Sequence, residues 1–424
     1  MSKPKIAIIG AGLAGLSTAS SLINDAHIHV FEASKIAGGR TRSLNKPESD
    51  FGPLDNGQHI LLGAYKSTLD LLHRAGVEEQ EAFYRAPLRW WMDSGFQLKC
   101  PPVFAPLNLA WGVLTAQGLS FGLRLECLKT LSALTKIKTD NTVAKWLNEQ
   151  GVAYILKQNF WTPLVLAAMN TSMEEASILT LAQVVQNGLL KNRAASDLLL
   201  PQKPLNDIFG DPLVDYLQKN GVRVSFEHRV KSIIEQNTGF LVDDVFFDRV
   251  IIATAPHQST HLIPDSIAQE RINKLQYTAI CTVYLRYKQK VTLPFPMVGI
   301  ANGTAQWLFD RGILAGRADE IAAVISCVPP IEDKDDFVQK VHQDVLKWSP
   351  DLPSPVDYRI ITEKRATFRA VADRPQVSTG ALANKGNYLA GDYTHPFYPA
   401  TIEGAVQSGQ IVATQCILDW KKIG

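Results

Sequence analysis

The segment Lys5-Ile-Ala-Ile-Ile-Gly-Ala-Gly-Leu-Ala-Gly-Leu-Ser-Thr-Ala19 decides the fold of this chain. Its apolar start predicts a short strand, and Gly10, Gly12 and Gly15 then follow at G-x-G-x-x-G spacing as an Ala- and Leu-rich helix begins. The first glycine permits a tight turn, the second lets the backbone approach a pyrophosphate, and the third lets helix and strand pack closely. The free N–H groups at the start of the helix then face an anion. The segment therefore predicts a strand, turn and helix that bind a dinucleotide.

A second predicted strand, His29-Val-Phe-Glu32, places an acid twenty residues beyond Gly12. An acid at that distance accepts hydrogen bonds from a ribose diol. Taken alone, a glycine triplet also occurs in plain turns, and Glu32 could be a solvated acid at a strand end. The strand before the glycines, the helix after them and the acid at this spacing together favour a bound dinucleotide.

The run Gly38-Gly39-Arg40-Thr41 indicates which dinucleotide is bound. A Gly-Gly pair lets the chain pass close to a ligand, and the guanidinium of Arg40 can pair with phosphate, although a surface turn would also accommodate it. The stretch from Glu32 to Thr41 resembles the second half of the FAD fingerprint in the flavin amine oxidase and carotenoid desaturase superfamily. NAD enzymes do not usually carry it, so the resemblance implies FAD.

Length and composition limit the classes of protein to which the chain can belong. Its 424 residues allow two or three domains. With 43 Lys and Arg against 41 Asp and Glu, there is no electrostatic case for a nucleic-acid partner. The five cysteines are scattered without a C-x-x-C pair, so we expect no metal site and a reducing, cytoplasmic location. The first strand begins by Lys5, so we expect no signal peptide.

The string Asp55-Asn-Gly-Gln-His-Ile-Leu-Leu-Gly-Ala-Tyr65 is more specific than its turn chemistry requires. It closely resembles the corresponding segment of the bacterial hydroxysqualene dehydroxylases, also called squalene-associated FAD-dependent desaturases. The resemblance runs from the first strand to the last helix and is strongest over residues 5–65 and 386–410. It implies reductive removal of an allylic hydroxyl from hydroxysqualene, giving squalene in bacterial squalene and hopanoid biosynthesis. The substrate would be an apolar C30 isoprenoid, and the sequence does not identify the electron donor.

Departure of the hydroxyl requires an acid, and His59 is the best candidate from the sequence. Histidine titrates near neutral pH, and in the superfamily this segment reaches the flavin ring. A lone histidine is more often structural, however. Tyr393, His395 and Tyr398 are weaker alternatives.

Residues 100–123 carry no charge and are strongly apolar, but prolines and glycines interrupt them too often for a membrane-spanning helix. Two interpretations stay open: the buried lining of a substrate cavity, or a patch that enters the inner face of the membrane peripherally. Residues 124–200 show helical apolar spacing. An apolar helical cap suits an apolar substrate, although a plain core would look alike.

The C-terminal part carries a second cofactor signal. Gly391 lets the backbone come close, Asp392 can accept hydrogen bonds from a ribityl chain, and a helix that starts near Thr401 directs its free N–H groups at an anion. In the superfamily that anion is the N1/C2=O edge of the reduced flavin, which a helix N-terminus stabilises. The alternative is a plain capped helix. The resemblance also implies contact between the adenine and the backbone at Val230.

We therefore predict an α/β fold with a discontinuous Rossmann-like FAD-binding domain formed by residues 1–70, 211–270 and 380–424. A substrate domain of mixed β-sheet plus helices, residues 71–210 and 271–379, would be inserted in it. The residues expected to hold FAD are Gly10, Gly12, Leu13, Ala14, Gly15, Glu32, Ala33, Gly39, Arg40, Gly57, Gln58, Val230, Gly391, Asp392, Thr401 and Ile402.

Three other functions stay open. A carotenoid (phytoene)-type desaturase would run the flavin chemistry in the oxidative direction. An amine oxidase is less favoured, because Ile280 stands where many of them carry a lysine near flavin N5. A different class is a flavin-free prenyl-lipid escort, as in the Rab escort and GDP-dissociation-inhibitor proteins; the intact glycines, Glu32 and Asp392 argue against it.

Overall fold

A computed structural model of the chain describes residues 2–44, 50–263, 265–378 and 386–423. A five-stranded parallel sheet organises one half of the molecule. The predicted α/β class is therefore confirmed. Across the sheet the strands are Asn387–Leu389, Arg249–Ile252, Lys5–Ile9, His27–Phe31 and Arg223–Ser225.

The two faces of the parallel sheet are covered differently, because successive side chains of a strand point to opposite sides. Ile6 and Ile8 pack against helices, whereas Ala7 and Ile9 face a small antiparallel sheet. The helices on the first face are Leu13–Leu22, Lys66–Arg74, Asp211–Lys219 and Ile402–Ile423. The small sheet is formed by Ile233–Glu235, Phe240–Val242 and Val245–Phe247. Arg223–Ser225 joins the parallel sheet, and the next strand along the chain, Ile233–Glu235, joins the small sheet.

The first and last helices of the parallel-sheet half are locked together. Gly409 lies against the first helix, and a Cβ on it would lie 2.4 Å from the carbonyl oxygen of Ala14. Ser17 Oγ donates to the carbonyl of Val406, and Thr18 Oγ1 donates to that of Gly409. The two ends of the described chain therefore pack as one unit.

A five-stranded antiparallel sheet organises the other half. Its order is Met297–Gly299, Trp307–Asp310, Glu320–Ser326, Tyr277–Arg286, Asp357–Phe368. The helix Lys334–Leu346 packs against its strand Tyr277–Arg286. A second short helix, Arg311–Ala315, was not predicted; the Asp310 side chain caps it by accepting from the Ile313 N–H.

The remaining elements connect and cover these two sheets. The strands Arg89–Trp91 and Gln97–Lys99 form a hairpin. A further sheet is formed by Leu61–Leu62, Leu198–Pro201 and Phe83–Ala86. The other α-helices are Glu79–Ala82, Leu107–Leu114, Phe121–Leu134, Val143–Glu149, Tyr154–Leu156, Thr162–Met169, Ile178–Val184, Pro256–Ser259 and Ser266–Asn273. Residues 124–200 are thus mostly helical, as expected. The domain junction expected between residues 379 and 380 lies outside the described residues.

The charge-free segment 100–123 lies at the surface. It contains the helix Leu107–Leu114, which packs against the hairpin strand Gln97–Lys99 and the following helix. Phe104, Trp111 and Phe121 are 71%, 60% and 66% exposed. Within the described ranges, no helix combines the length and the apolar character needed to span a bilayer.

Candidate functional site

A cavity of about 890 Å³ opens where four strands of the parallel sheet end. Ile9, Phe31, Ala253 and Gly391, which lie at or just beyond the carboxyl ends of these strands, all line it. Ligands of open parallel sheets bind at this edge. From there the cavity continues between the antiparallel sheet and the helices of residues 162–190. One space therefore reaches both halves of the molecule.

The glycine loop leaves room for a ligand. Gly10 has a φ of +110°, and a Cβ on it would come within 2.9 Å of the Ala253 carbonyl oxygen, so the fold itself needs glycine there. At Gly12, by contrast, a Cβ would meet no described atom closer than 4.0 Å, and its φ of −75° suits any residue. The space beside Gly12 belongs to the cavity, which Leu13 and Ala14 also line. Gly12 N-caps the first helix with no side-chain bond, and such free N–H groups suit a phosphate.

Gly15 is placed apart from the other predicted cofactor residues, since it does not line the cavity. A Cβ on it would lie 2.0 Å from the Gly10 carbonyl oxygen. Its role in this structure is therefore the close packing of helix on turn that the spacing predicts, without contact to a ligand.

Glu32 lies at the end of the second strand and is held by its neighbours. One carboxylate oxygen accepts from the Ala11 N–H at 2.8 Å, and the other accepts from the N–H and hydroxyl of Ser34, both at 2.8 Å. Glu32 and Ala33 line the cavity, and so does Val230 in the segment opposite. The acid is thus oriented on the nucleotide side, where a ribose would be.

The Gly-Gly-Arg element and the C-terminal Gly-Asp pair meet directly. Arg40 donates to Asp392 Oδ2 at 2.7 Å and to the Ala366 carbonyl at 2.7 Å. Burial alone would lower the pKa of Arg40, but the charge of Asp392 and the bond to it outweigh this, and the pKa is raised. Gly39 and Gly391 line the cavity on either side of the pair. Arg40 is therefore a fixed cation in the cavity wall, and its present partner is a carboxylate.

Gly57, Gln58 and His59 all line the cavity, as predicted, but His59 has an unsuitable charge state for a proton donor. Its Nδ1 donates to the Gly57 carbonyl at 2.9 Å, because a carbonyl can only accept. Burial is the main cause of a lowered pKa for His59, the charge of Arg40 adds to it, and the Gly57 bond opposes it. At neutral pH the imidazole is therefore neutral, with no proton on Nε2. The predicted role as general acid stays a prediction that this charge state argues against.

The last helix begins at the cavity. Thr401, Ile402 and Ala405 line it, and Thr401 Oγ1 accepts from the Gly404 N–H at 3.1 Å. The Thr401 cap satisfies one N–H of the first turn, and the helix start also faces the cavity, so the predicted role in stabilising an anion stays a prediction. Its positive end lies on the same side as Arg40.

The three weaker acid candidates separate in the structure. Tyr393 and His395 are buried away from the cavity, and His395 Nδ1 accepts from the backbone N–H groups of Phe397 and Tyr398. Tyr398 lines the cavity. Tyr65 lines it too, a residue that the sequence marked only as the end of the string from Asp55.

The cavity is mainly apolar on the side away from the glycine loop. Ile280 lies in its wall, where the sequence comparison with amine oxidases had placed it. The other apolar residues of this side are Ile60, Leu62, Leu88, Trp90, Leu164, Leu166, Met169, Val184, Leu189, Leu198, Met297, Trp307, Phe309 and Val324. Among the described residues, none between 100 and 123 lines the cavity. The cavity-lining interpretation of that segment is therefore wrong, and residues within 164–170 and 184–189 line the cavity instead.

The chain is similar over nearly its full length to known flavoenzymes. The hydroxysqualene dehydroxylase of Zymomonas mobilis is 29% identical, over 96% of this chain and 97% of its own. The 15-cis-phytoene desaturase of an Oncidium hybrid cultivar is 23% identical, over 99% of this chain and 78% of its own. The crystal structure of an oxidoreductase from Methanosarcina mazei superposes with a TM-score of 0.72 at 16% identity, over 96% of this chain and 99% of that one.

The family described as flavin containing amine oxidoreductase matches residues 13–417. This match confirms the predicted FAD cofactor and the predicted class of FAD-dependent oxidoreductase, and it excludes the flavin-free escort protein. The resemblance drawn from the sequence motifs is confirmed as well. The chain belongs to the flavin containing amine oxidoreductase family.

Proposed function

We propose that the protein removes the allylic hydroxyl of hydroxysqualene reductively, with FAD as cofactor, to give squalene. The observation that carries this proposal is the single cavity in which the glycine loop, Arg40 and Asp392 share a space with an apolar chamber. The relative from Zymomonas mobilis, which carries the name of this activity, supports the same substrate. Which reductant supplies the electrons is left open by the proposal.

The residues predicted from the sequence to hold FAD, with Gly15 acting only through packing, are proposed as its binding site. Bound FAD in its reduced form supplies hydride. The chain's own contribution is to bind and orient FAD. The N–H groups after Gly12 would donate to the pyrophosphate, Glu32 would accept from a ribose, and Asp392 would accept from the ribityl chain. The apolar wall excludes water from the reacting carbon. We also propose the predicted division into FAD-binding and substrate domains, with the junctions expected at 70/71 and 270/271 moved to the ends of helices Lys66–Arg74 and Ser266–Asn273, which those junctions would cut.

Anaerobic mixing of photoreduced protein with hydroxysqualene tests the proposal. We expect flavin reoxidation in step with squalene, detected by absorbance and mass spectrometry. Phytoene given to the oxidised protein is the parallel arm for a desaturase, which the 15-cis-phytoene desaturase relative makes the second candidate. Reoxidation without squalene would contradict the proposed function, and flavin reduction by phytoene would replace it with the desaturase.

We propose in addition that the exposed part of segment 100–123 enters the inner face of the membrane, from a cytoplasmic location. Phe104, Trp111 and Phe121 are exposed, and the exposed Lys99 and Lys129, on the strand and the helix that contact helix Leu107–Leu114, suit anionic headgroups. The hairpin that carries Lys99 also places Trp90 in the cavity wall, so the patch adjoins the chamber. An apolar C30 substrate would reach the cavity from the lipid.

Vesicle co-sedimentation tests this contact. Trp111→Ser and Phe121→Ser should each weaken binding to anionic vesicles by about tenfold or more, since each loses roughly 1.5–3 kcal/mol of apolar burial. Ile234→Ser, at a residue 51% exposed on the small sheet, is the matched control. Equal binding of all variants would refute the membrane contact and leave the enzymatic proposal untouched.

A further inference from the structure

Two tyrosines occupy the junction between the nucleotide side and the apolar side of the cavity. Tyr65 follows the short strand Leu61–Leu62, whose Leu62 and strand partner Leu198 belong to the apolar wall. Tyr398 precedes the helix that begins at Ile402, on the cofactor side. Both tyrosines line the cavity, and Tyr398 lies close enough to Tyr65 to act on it electrostatically, so the two side chains can contact one substrate oxygen.

A buried carboxylate, that of Glu403, lies close enough to both tyrosines for its charge to act on them. Glu403 accepts from the N–H groups of Ser67 and Thr68 at 3.1 and 2.9 Å, from Thr68 Oγ1 at 2.7 Å and from Gln407 Nε2 at 2.8 Å. It thus closes the N-terminus of helix Lys66–Arg74, which no side chain of that helix caps. Four donors already satisfy Glu403, so it acts on the tyrosines through its charge.

Both tyrosine hydroxyls stay protonated at neutral pH. Burial is the first cause of a raised pKa at Tyr65 and at Tyr398, and the negative charge of Glu403 is the second. At Tyr398 a contact with Gln407 opposes the rise. Because one contact opposes the rise of its pKa, Tyr398 is the better proton donor of the two. Tyr65 holds its proton more firmly and is therefore the one that stays a hydrogen-bond donor.

Other polar groups of the wall are less suited to give a proton. His59 is neutral and has no proton on Nε2, as described above. Tyr277 lies on the charged side, near Arg40 and Arg365. Glu363 accepts from Asn56 Nδ2 and is paired with Arg42, so hydrogen-bond donors already occupy its carboxyl group.

We propose that Tyr398 is the proton donor to the departing hydroxyl, and that Tyr65 binds the same oxygen. The inference rests on the proposed function. The Tyr398 O–H bond breaks as a new O–H bond forms on the substrate oxygen, and the allylic C–O bond breaks with its electron pair leaving in water. The carbon gains a C–H bond by accepting the hydride that the reduced cofactor supplies, and solvent returns the proton to the phenolate. In sum, hydroxysqualene, one hydride and one proton give squalene and water.

Single-turnover squalene formation by Tyr398→Phe, Tyr65→Phe and parent protein, each loaded with reduced FAD, tests the inference. Tyr398→Phe should be slower by about 10²- to 10⁴-fold, as expected for loss of a general acid. Tyr65→Phe should bind hydroxysqualene about 2- to 10-fold more weakly, the net contribution of one hydrogen bond, and should bind squalene unchanged. Tyr216→Phe, on helix Asp211–Lys219 outside the cavity, is the matched control.

The pH profile of the parent protein, compared with the activity of His59→Ala, decides the same question. The pKa of a tyrosine donor is raised above the ordinary 10.0, so the tyrosine stays protonated and the reaction rate should not change between about pH 7 and about pH 9. A rate that falls as pH rises through the histidine range and vanishes in His59→Ala would overturn the inference in favour of His59. An unchanged rate in Tyr398→Phe would also overturn it. No squalene from the parent protein would instead refute the proposed function, so the two failures are distinct.

Discussion

Gly12 and Gly15 lie three residues apart in one motif, yet replacing each by alanine should have opposite consequences. At Gly12 an added Cβ meets no described atom nearer than 4.0 Å, and its backbone, at φ −75° and ψ 174°, suits alanine. At Gly15 the same Cβ would lie 2.0 Å from the Gly10 carbonyl oxygen, so backbone must move. We expect Gly12→Ala to spare the fold and impair cofactor binding, and Gly15→Ala to impair the fold.

The magnitudes follow from these contacts. In Gly12→Ala, the lower entropy of the unfolded chain stabilises the protein by about 0.4–1 kcal/mol, whereas alanine caps the helix less well than glycine. Because these effects oppose each other, the free energy of unfolding of the FAD-free protein should change by less than about 1 kcal/mol. The methyl group pushes a pyrophosphate away from the helix N–H groups. Loss of one charged hydrogen bond, about 1.5–3 kcal/mol, weakens FAD binding by roughly 10- to 100-fold. Gly15→Ala should destabilise the FAD-free protein by about 1–3 kcal/mol or more, the usual result of overpacking.

Two measurements separate the variants. Titration of the FAD-free protein with FAD, followed by quenching of flavin fluorescence, gives the dissociation constant, and urea unfolding without FAD gives the stability. Gly122→Ala, near the start of helix Phe121–Leu134 and with no described atom nearer than 4.0 Å to its Cβ, controls for alanine at an open glycine that lies outside the cavity. FAD affinity in Gly12→Ala equal to that of the parent would refute the assignment of this loop to the pyrophosphate.

Three further outcomes are expected. Arg40→Met leaves the buried Asp392 without its cation and should lower the free energy of unfolding by about 1–3 kcal/mol. This is less than for a fully buried pair, because the Arg40 side chain is 39% exposed. In urea unfolding, the double variant with Asp392→Leu should recover part of the lost stability. Gly409→Ala places its Cβ 2.4 Å from the Ala14 carbonyl oxygen, and the urea midpoint should fall by the equivalent of about 1–3 kcal/mol. Burial is the main cause, and nearby positive charge the second cause, of a pKa of His29 that is lowered from 6.5 to about 4. The folded protein therefore favours neutral His29, which contributes its full stabilisation above pH 6.5 and loses it as the pH falls towards 4. The loss should be about 1–2 kcal/mol after allowing for partial exposure, and His29→Asn should flatten that part of the stability profile.

The sequence predicted correctly those elements whose geometry depends on residues close together in the chain. The strand, the glycine turn and the helix from Lys5 to Ala19 follow from apolar periodicity and backbone freedom, and the structure has them in place. Glu32 follows from its distance along the chain, because one helix and one strand separate it from the glycine turn. The final helix could likewise be placed by the small residues that precede it.

Contacts between distant residues could not be predicted from one sequence. Arg40 was expected to meet a phosphate, and nothing in its neighbourhood reveals that Asp392, 352 residues later, is its partner. The same limit applies to segment 100–123. Hydropathy measures how apolar it is, but whether it faces a cavity or solvent depends on what else fills the wall, and here residues 162–190 do so.

The position of the tyrosine pair shows the same limit at the reacting centre. Tyr65 and Tyr398 become neighbours of one carboxylate only because Glu403, in the last helix, bonds to Thr68, 335 residues earlier. That bond exists because the last helix packs on the first through Gly409 and so lies beside the start of helix Lys66–Arg74. The packing that brings the two ends of the described chain together therefore also sets the charge behind both hydroxyls. A substitution that loosens the last helix should consequently shift the pH profile of the reaction as well as lower stability, and Gly409→Ala offers that comparison.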